Sequence, residues 1–292
     1  MKTRNNNNWK LLGAILIVLS LIGSGCASKK NLWGDPETGL ILKYKAPEDG
    51  KLSYVKSSDF VQRLEIKGQK ISIDAVQDFN YSMTPEKSDE QSTRYLISID
   101  SVDYSISSPT GDIYPDMSSI IGESFGMDIT STGYEKNFEE AKSIKYSVQD
   151  QEQSVASSFY ALFPQLPDQP VKVGDTWKSV DTIVEENARG DLLLVFNNLN
   201  TIVSIEKFNG LDCGKVDTKV SGTMNGGGKE KDVVYDYDGD LAGSGTWYFA
   251  YKEGVLVQET GTGTGKGNIM IPSKDMIIPM ERDIKVAHRL LR

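Results

Sequence analysis

Few residues in this 292-residue chain combine the types and spacing that chemistry requires. His288 is the only histidine, so a Ser-His-Asp or Cys-His arrangement would have to be built on it. It stands in the terminal stretch Ile284-Lys285-Val286-Ala287-His288, apart from any nucleophile motif, and a surface or partly buried position is expected. Zinc needs several His or Cys ligands, and the chain offers one histidine with two cysteines, Cys26 and Cys213. Asp236-Tyr237-Asp238-Gly239-Asp240 sets three carboxylates at alternate positions, as calcium loops do. An EF-hand would require Gly where Leu241 stands and Glu where Trp247 stands. Asp238-Gly239 therefore reads as turn chemistry at a hairpin tip. The run from Gly261 to Gly267, with Lys266, looks like a phosphate loop. The Walker pattern, however, needs Gly at the position of Thr260 and Ser or Thr at that of Gly267. Its alternation of Gly and Thr fits a strand with one bare face. Among 41 acidic residues nothing singles out a carboxylate pair for glycoside hydrolysis. The expectation is a non-enzymatic chain with no catalytic residue, no cofactor and no metal site.

The residue whose context does specify a modification is Cys26. Lys2, Arg4 and Lys10 make a basic start, Leu11 to Ile22 is almost wholly apolar, and Gly23, Ser24 and Gly25 precede the cysteine. Charge, then a short apolar core, then small residues is the order of a secretory signal, and the run is shorter than the roughly 20 residues of a membrane span. The segment resembles bacterial lipoprotein signal peptides, which are cut just before such a cysteine. That resemblance implies that the mature chain starts at Cys26. Its thiol would carry diacylglycerol and its amine a further acyl chain such as palmitate, enough for stable anchoring. By the sorting habits of Gram-negative lipoproteins, Ala27 after the cysteine implies an outer-membrane address in the cell envelope.

The chain carries 32 basic and 41 acidic residues. Loss of residues 1–25 removes Lys2, Arg4 and Lys10 and no acid, leaving 29 against 41, a net −12. An acidic surface of that size disfavours nucleic acid and argues against a basic patch for anionic lipid headgroups. The partners left are the membrane, through the N-terminal lipid, and an apolar ligand or an envelope protein. With Cys26 acylated, Cys213 has no disulfide partner and reads as a small residue in a strand or turn.

Tyr and β-branched residues recur in short runs punctuated by Gly, Asp and Pro, an all-β composition. The predicted organisation is a signal peptide over 1–25, a flexible tether over 26–39 and a first β-rich half over 40–135. A helix and proline linker over 136–170 and a second β-rich half over 171–292 follow. Expected strands include Leu40–Tyr44, Lys51–Val55, Phe60–Ile66 and the strictly alternating Ile71–Val76, with a loop or long hairpin tip over Thr84–Ser92. Val155, Phe159, Leu162 and Phe163 fall at helical spacing before Pro164, Pro167 and Pro170 stop it. Trp247, Phe249 and Tyr251 share one face of an aromatic strand and read as core, with Tyr248 opposite. Gly50, Gly68 and the pair Gly122/Gly133 are echoed by Gly174, Gly190 and Gly243/Gly254 at offsets of 124, 122 and 121 residues. That echo fits a duplicated β unit, or the Gly-rich turns that recur in any all-β chain.

The segment Phe163-Pro164-Gln165-Leu166-Pro167-Asp168-Gln169-Pro170-Val171-Lys172-Val173-Gly174-Asp175-Thr176-Trp177 resembles a signature of bacterial envelope lipoproteins grouped as a domain of unknown function. In that family it joins two β-rich halves. The resemblance implies a mainly β fold of curved antiparallel sheets, half-barrel-like, and it supplies no activity. Trp177 is expected to be a structural anchor whose indole N–H finds a carbonyl.

The lipid anchor is directly testable. Cys26→Ser should leave the signal uncut by the lipoprotein peptidase and the protein washable from membranes. Membrane retention equal to wild type would contradict acylation.

Overall fold

The computed structural model describes residues 33–47, 50–149, 151–187, 190–230 and 232–291. Cys26 and the expected signal segment lie outside the described residues. Alternation of inward apolar and outward polar residues runs through ten strands of seven residues or more. In chain order these are β1 Leu52–Ile66, β2 Gln69–Ser88, β3 Ser92–Ser108, β4 Ser124–Thr130 and β5 Thr176–Asn187. They continue as β6 Gly190–Phe208, β7 Leu211–Glu230, β8 Val233–Ala250, β9 Val255–Ile271 and β10 Met276–Leu291. All belong to one twelve-stranded antiparallel sheet in the order β5-β6-β7-β8-β9-β10-β1-β2-β3-β4. The short strands Glu135–Lys136 and Gly111–Ile113 complete it, on β4 and β3. The fold is thus mainly β and antiparallel, and the sheet does not close into a barrel.

Two-residue turns fix the register of neighbouring strands. Lys67-Gly68 and Asn209-Gly210 have positive φ at both positions, the geometry of tight hairpins that match strand twist. Ile66 then pairs with Gln69, and Phe208 with Leu211. The join between the two ends of the chain is β10 against β1, from Met280 opposite Leu64 to Leu291 opposite Ser53. Both expected β-rich halves therefore contribute to one ladder.

The sheet curls around a strap, residues 155–166, that crosses its inner face. The strap touches Phe125 on β4 through Phe159 and reaches β5 through Gln165, so strands from opposite edges share one core. That core joins Tyr54, Phe79, Tyr81, Ile97, Met127, Phe159, Phe163, Ile202, Trp247 and Phe249. A second apolar cluster, Leu192, Leu194, Met224, Leu241 and Met280, lies at the far end of the long strands. Between the clusters the inner face is bare, because Gly243 pairs with Gly263 and Gly245 with Gly261.

Several expectations change. Among its described residues the stretch from Tyr134 to Phe163 has no helix longer than the 3-10 turns Glu139–Ser143 and Val155–Phe159, which lie around a hairpin of Lys145–Val148 with Gln151–Ser154. Val155, Phe159, Leu162 and Phe163 are all buried, but against different walls of the concavity rather than along one helical stripe. Asp238-Gly239 is not a turn: it lies within β8, where Gly239 faces Gly267, and the carboxylates of Asp236, Asp238 and Asp240 line an exposed outer face. Three carboxylates at alternate positions of a strand span about 13 Å, too far to ring one cation. β2 runs on to Ser88, and the turn shrinks to residues 89–91, where the Asp89 carboxylate accepts from the N–H groups of Gln91 and Ser92. The expected strand Leu40–Tyr44 reduces to Gly39–Leu40, which pairs with Gly34–Asp35 and bridges to Val171. Trp247 and Phe249 are buried as expected, Cys213 is buried within β7, and Gly261 to Gly267 is a strand with a bare face.

The glycines on that face differ in what surrounds them, which yields a paired test. A Cβ at Gly267 would collide with the backbone of Asp238, whereas one at Gly263 would sit 3.4 Å from the carbonyl oxygen of Ala242. Gly267→Ala should cost about 1–3 kcal/mol, and Gly263→Ala should be neutral or stabilising by up to about 1 kcal/mol. Equal urea midpoints for the two variants would contradict this account of the ladder.

Candidate functional site

Three ionisable residues stand side by side on the inner face. Lys56 on β1 is directly opposite His288 on β10, and His288 is directly opposite Glu259 on β9. Phe79 and Trp247 extend the row to either side. Directly opposed residues in an antiparallel pair point to the same face with Cβ atoms about 5 Å apart. The row therefore forms one continuous surface beneath the strap. His288 is only 4% exposed, which corrects the expectation of a surface or partly buried histidine. Ile284, Val286 and His288 alternate onto the inner face, so the terminal strand carries its histidine into the core. Tyr81 Oη lies 2.6 Å from His288 Nε2, and the Tyr54 and Phe163 rings pack on the imidazole at centroid distances of 4.8 and 5.5 Å.

The strap brings backbone polar groups into this apolar space, where no ladder can satisfy them. Side chains of the sheet and its margins do so instead. Lys56 Nζ donates to the carbonyl of Ser158 at 2.9 Å. The N–H groups of Leu162 and Phe163 both donate to Glu135 Oε1, at 2.8 and 2.9 Å. Tyr44 Oη donates to the Pro164 carbonyl at 3.0 Å. Gln165 Nε2 donates to the Val180 carbonyl at 2.9 Å and to Asp181 Oδ1 at 2.6 Å. Trp177 Nε1 donates to the Gln165 carbonyl at 2.9 Å, so this indole is the anchor the sequence suggested. Its ring meets Trp247 edge to face, with centroids 5.9 Å apart. Phe159 plugs the centre, edge to face on Phe79, Tyr81 and Phe125.

Burial sets the protonation of the array. It pushes the Glu135 carboxyl up to about 8, against the pull of the Phe163 and Leu162 N–H groups, while Asp181 adds to the rise. It pushes Glu259 up to about 7, with Lys56 opposing and Asp181 assisting. The Asp181 carboxyl rises for the same reason, held back by hydrogen bonds from Asn198 and Gln165. Burial lowers the Lys56 ammonium, opposed by Glu259 and Glu135. It takes His288 down to about 3, and the nearby Lys56 charge adds to the fall. The imidazole is therefore neutral, and its Nδ1 is buried with no partner in hydrogen-bonding geometry, although the Leu162 backbone lies close enough to favour the protonated ring.

Outside the strap, a cleft of about 660 Å³ opens between its proline end and the start of β5. Thr132, Tyr134, Gln165, Pro167, Trp177 and Ser179 are among its lining residues. Gln165 thus joins the buried array to the surface.

The structure brings His288 together with Tyr54, Tyr81 and Lys56, while Asp236, Asp238, Asp240 and the Gly261–Gly267 run stand elsewhere on the sheet. Lys56, Glu259, Glu135 and Asp181 were not singled out from the sequence. Their one signal is a charge at an inward position of an alternating strand, as in Tyr54-Val55-Lys56 and Val257-Gln258-Glu259. No protein-family model matches this chain, and no curated protein matches it.

The carboxyls make stability depend on pH in a stated direction. Glu135 and Glu259 ionise at about 4.5 when unfolded and at about 8 and 7 when folded, so their contribution is full below 4.5 and is lost as pH rises through those folded values. His288 acts oppositely: its contribution is present above 6.5 and is lost as pH falls toward 3. Between about pH 6.5 and pH 8 the His288 contribution is constant, and Glu135 and Glu259 lower the melting temperature as pH rises. Glu135→Gln, whose amide oxygen can still accept both N–H groups, should flatten that slope and raise the pH 8 melting temperature by about 2–4 °C. A slope identical to wild type would contradict the assignment.

Proposed function

We propose that this protein is a lipid-anchored protein of the cell envelope, tethered through acylated Cys26 to the outer membrane of a Gram-negative bacterium, that binds an apolar ligand in its concavity without chemical conversion. The observation that carries the reading is the strap. An open, curved sheet covers its apolar inner face with a segment that has no ladder of its own and is held by about half a dozen polar contacts. Such a cover is held by side-chain contacts and apolar burial, so it can open without unpairing the strands beneath it. The polar groups below it hold backbone atoms of the strap. The signal-like segment before Cys26 and the acidic balance of the chain support the location and argue against nucleic acid as partner.

A second reading takes a protein partner on the outer face of β5 and β6. Val180, Leu193 and Leu199 there are 51%, 40% and 40% exposed on neighbouring strands, beside a free sheet edge. Native mass spectrometry of the chain beginning at Ala27, purified untagged from its own host, separates the two. Discrete added masses that transfer into organic solvent are expected. A bare chain, or one carrying only a protein, would contradict the ligand reading.

A further inference from the structure

Lys56, His288 and Glu259 occupy positions where apolar residues would be cheaper, since a buried charge or polar group costs several kcal/mol unless satisfied. Their present satisfaction is incomplete. The one hydrogen bond of Lys56 Nζ among the described residues goes to the neutral carbonyl of Ser158. We assign the Tyr81 hydroxyl as the donor to His288 Nε2, its one acceptor among the described residues. In the neutral ring that places the proton on Nδ1. That N–H is buried and has no partner in good hydrogen-bonding geometry, its nearest polar neighbour being the Leu162 backbone of the strap. Lys56, hydrogen-bonded to one neutral carbonyl, and a ring N–H with no partner in good geometry thus stand directly opposite each other on adjacent strands, facing the same strap.

The strap resembles what a ligand would bring to this surface. Its Ser158 carbonyl meets Lys56, and its Phe159 and Phe163 rings lie on Tyr81, Tyr54 and His288. Its own backbone contributes little to holding it there. Val155–Phe159 is a single 3-10 turn, and Ala161 holds a left-handed φ of 49°, which costs a non-glycine residue on the order of 1 kcal/mol. An oxyanion would serve Lys56 and the His288 ring N–H better than a carbonyl does, because hydrogen bonds to a charged acceptor are roughly twice as strong. Burial raises Glu135 to about 8 and Glu259 to about 7, which lessens the repulsion they would exert on such a group at neutral pH.

We propose that Lys56 and His288 form the head-group subsite for an acyl chain with an anionic head, and that strap residues Ser158 to Phe163 occupy that subsite when it is empty. The proposal rests on the apolar-ligand reading and names its ligand class. The chain beginning at Ala27 keeps every described residue and suits the test. Displacement of 11-(dansylamino)undecanoic acid by palmitate, by palmitoyl lysophosphatidic acid and by hexadecanol gives three affinities for wild type and for Lys56→Met. We expect one or both anions to bind at least about tenfold more tightly than hexadecanol, and Lys56→Met to erase that preference while leaving hexadecanol unchanged. The ratio between palmitate and the phosphate tells a free acid from a phospholipid head. Phe159→Ala, which weakens the strap's plug, should tighten anion binding several-fold. Equal affinity of wild type for anions and alcohol would overturn the head-group subsite and leave the apolar-ligand reading standing. So would a preference that survives in Lys56→Met. If none of the three displaces the probe and the probe itself does not bind, both fail together. Should Lys56→Met not fold, the wild-type ratio of anion to alcohol still decides.

Discussion

A polypeptide that crosses an apolar core outside any helix or ladder must have its backbone polar groups satisfied by side chains. That constraint governs this protein. The strap enters beside β4, passes over β1 and β10 and leaves beside β5, and at each step a side chain of the sheet or its margin meets it. Glu135 takes two N–H groups, Lys56 and Tyr44 each give a proton to a carbonyl, and Trp177 and Gln165 tie the far end. The price is a set of ionisable groups buried where their ordinary charge states are unstable. Without those groups the carbonyls and N–H groups of residues 158–165 would be stranded in the core, and the concavity would lack its cover.

The sheet answers to the same geometry. Strands from both edges must reach one strap, so the sheet has to curl, and its last strand must pair with its first long one to complete the wall. Glycines in β8 and β9 remove side chains from the middle of the inner face, which separates the strap-covered core from the apolar cluster at the far end. Rows of opposed residues carry information across the wall. Phe79, Lys56, His288, Glu259 and Trp247 come from five strands yet form one line, so residues of both chain halves meet beneath the strap.

Much of the architecture was legible. The period-2 runs, the turn residues and the glycine-threonine stretch mark strands because each states its own local requirement. Trp177 was legible as an anchor because prolines and Gly174-Asp175 announce a chain that must be pinned. The strap was not. Val155, Phe159, Leu162 and Phe163 have helical spacing, yet the segment is short, ends in prolines and gains more from several walls of the concavity than from its own hydrogen bonds. Asp238-Gly239 carries turn chemistry but lies opposite Gly267, where tertiary pairing overrides local preference. The buried array was invisible for a further reason. Lys56, Glu259 and His288 are 29 to more than 200 residues apart, and only the register of β9, β10 and β1 makes them neighbours.

The central claim is that the strap opens independently of the wall it covers. Native-state hydrogen exchange of the Leu162 and Phe163 amides, measured against the ladder amides of β1 and β10, tests it most directly. Because these two N–H groups are held by one carboxyl rather than by a ladder, they should exchange through a local opening well below the free energy of global unfolding, and their protection should change little with denaturant. Protection equal to that of the β1–β10 ladder, with the same denaturant dependence, would show that the strap moves only when the sheet unfolds.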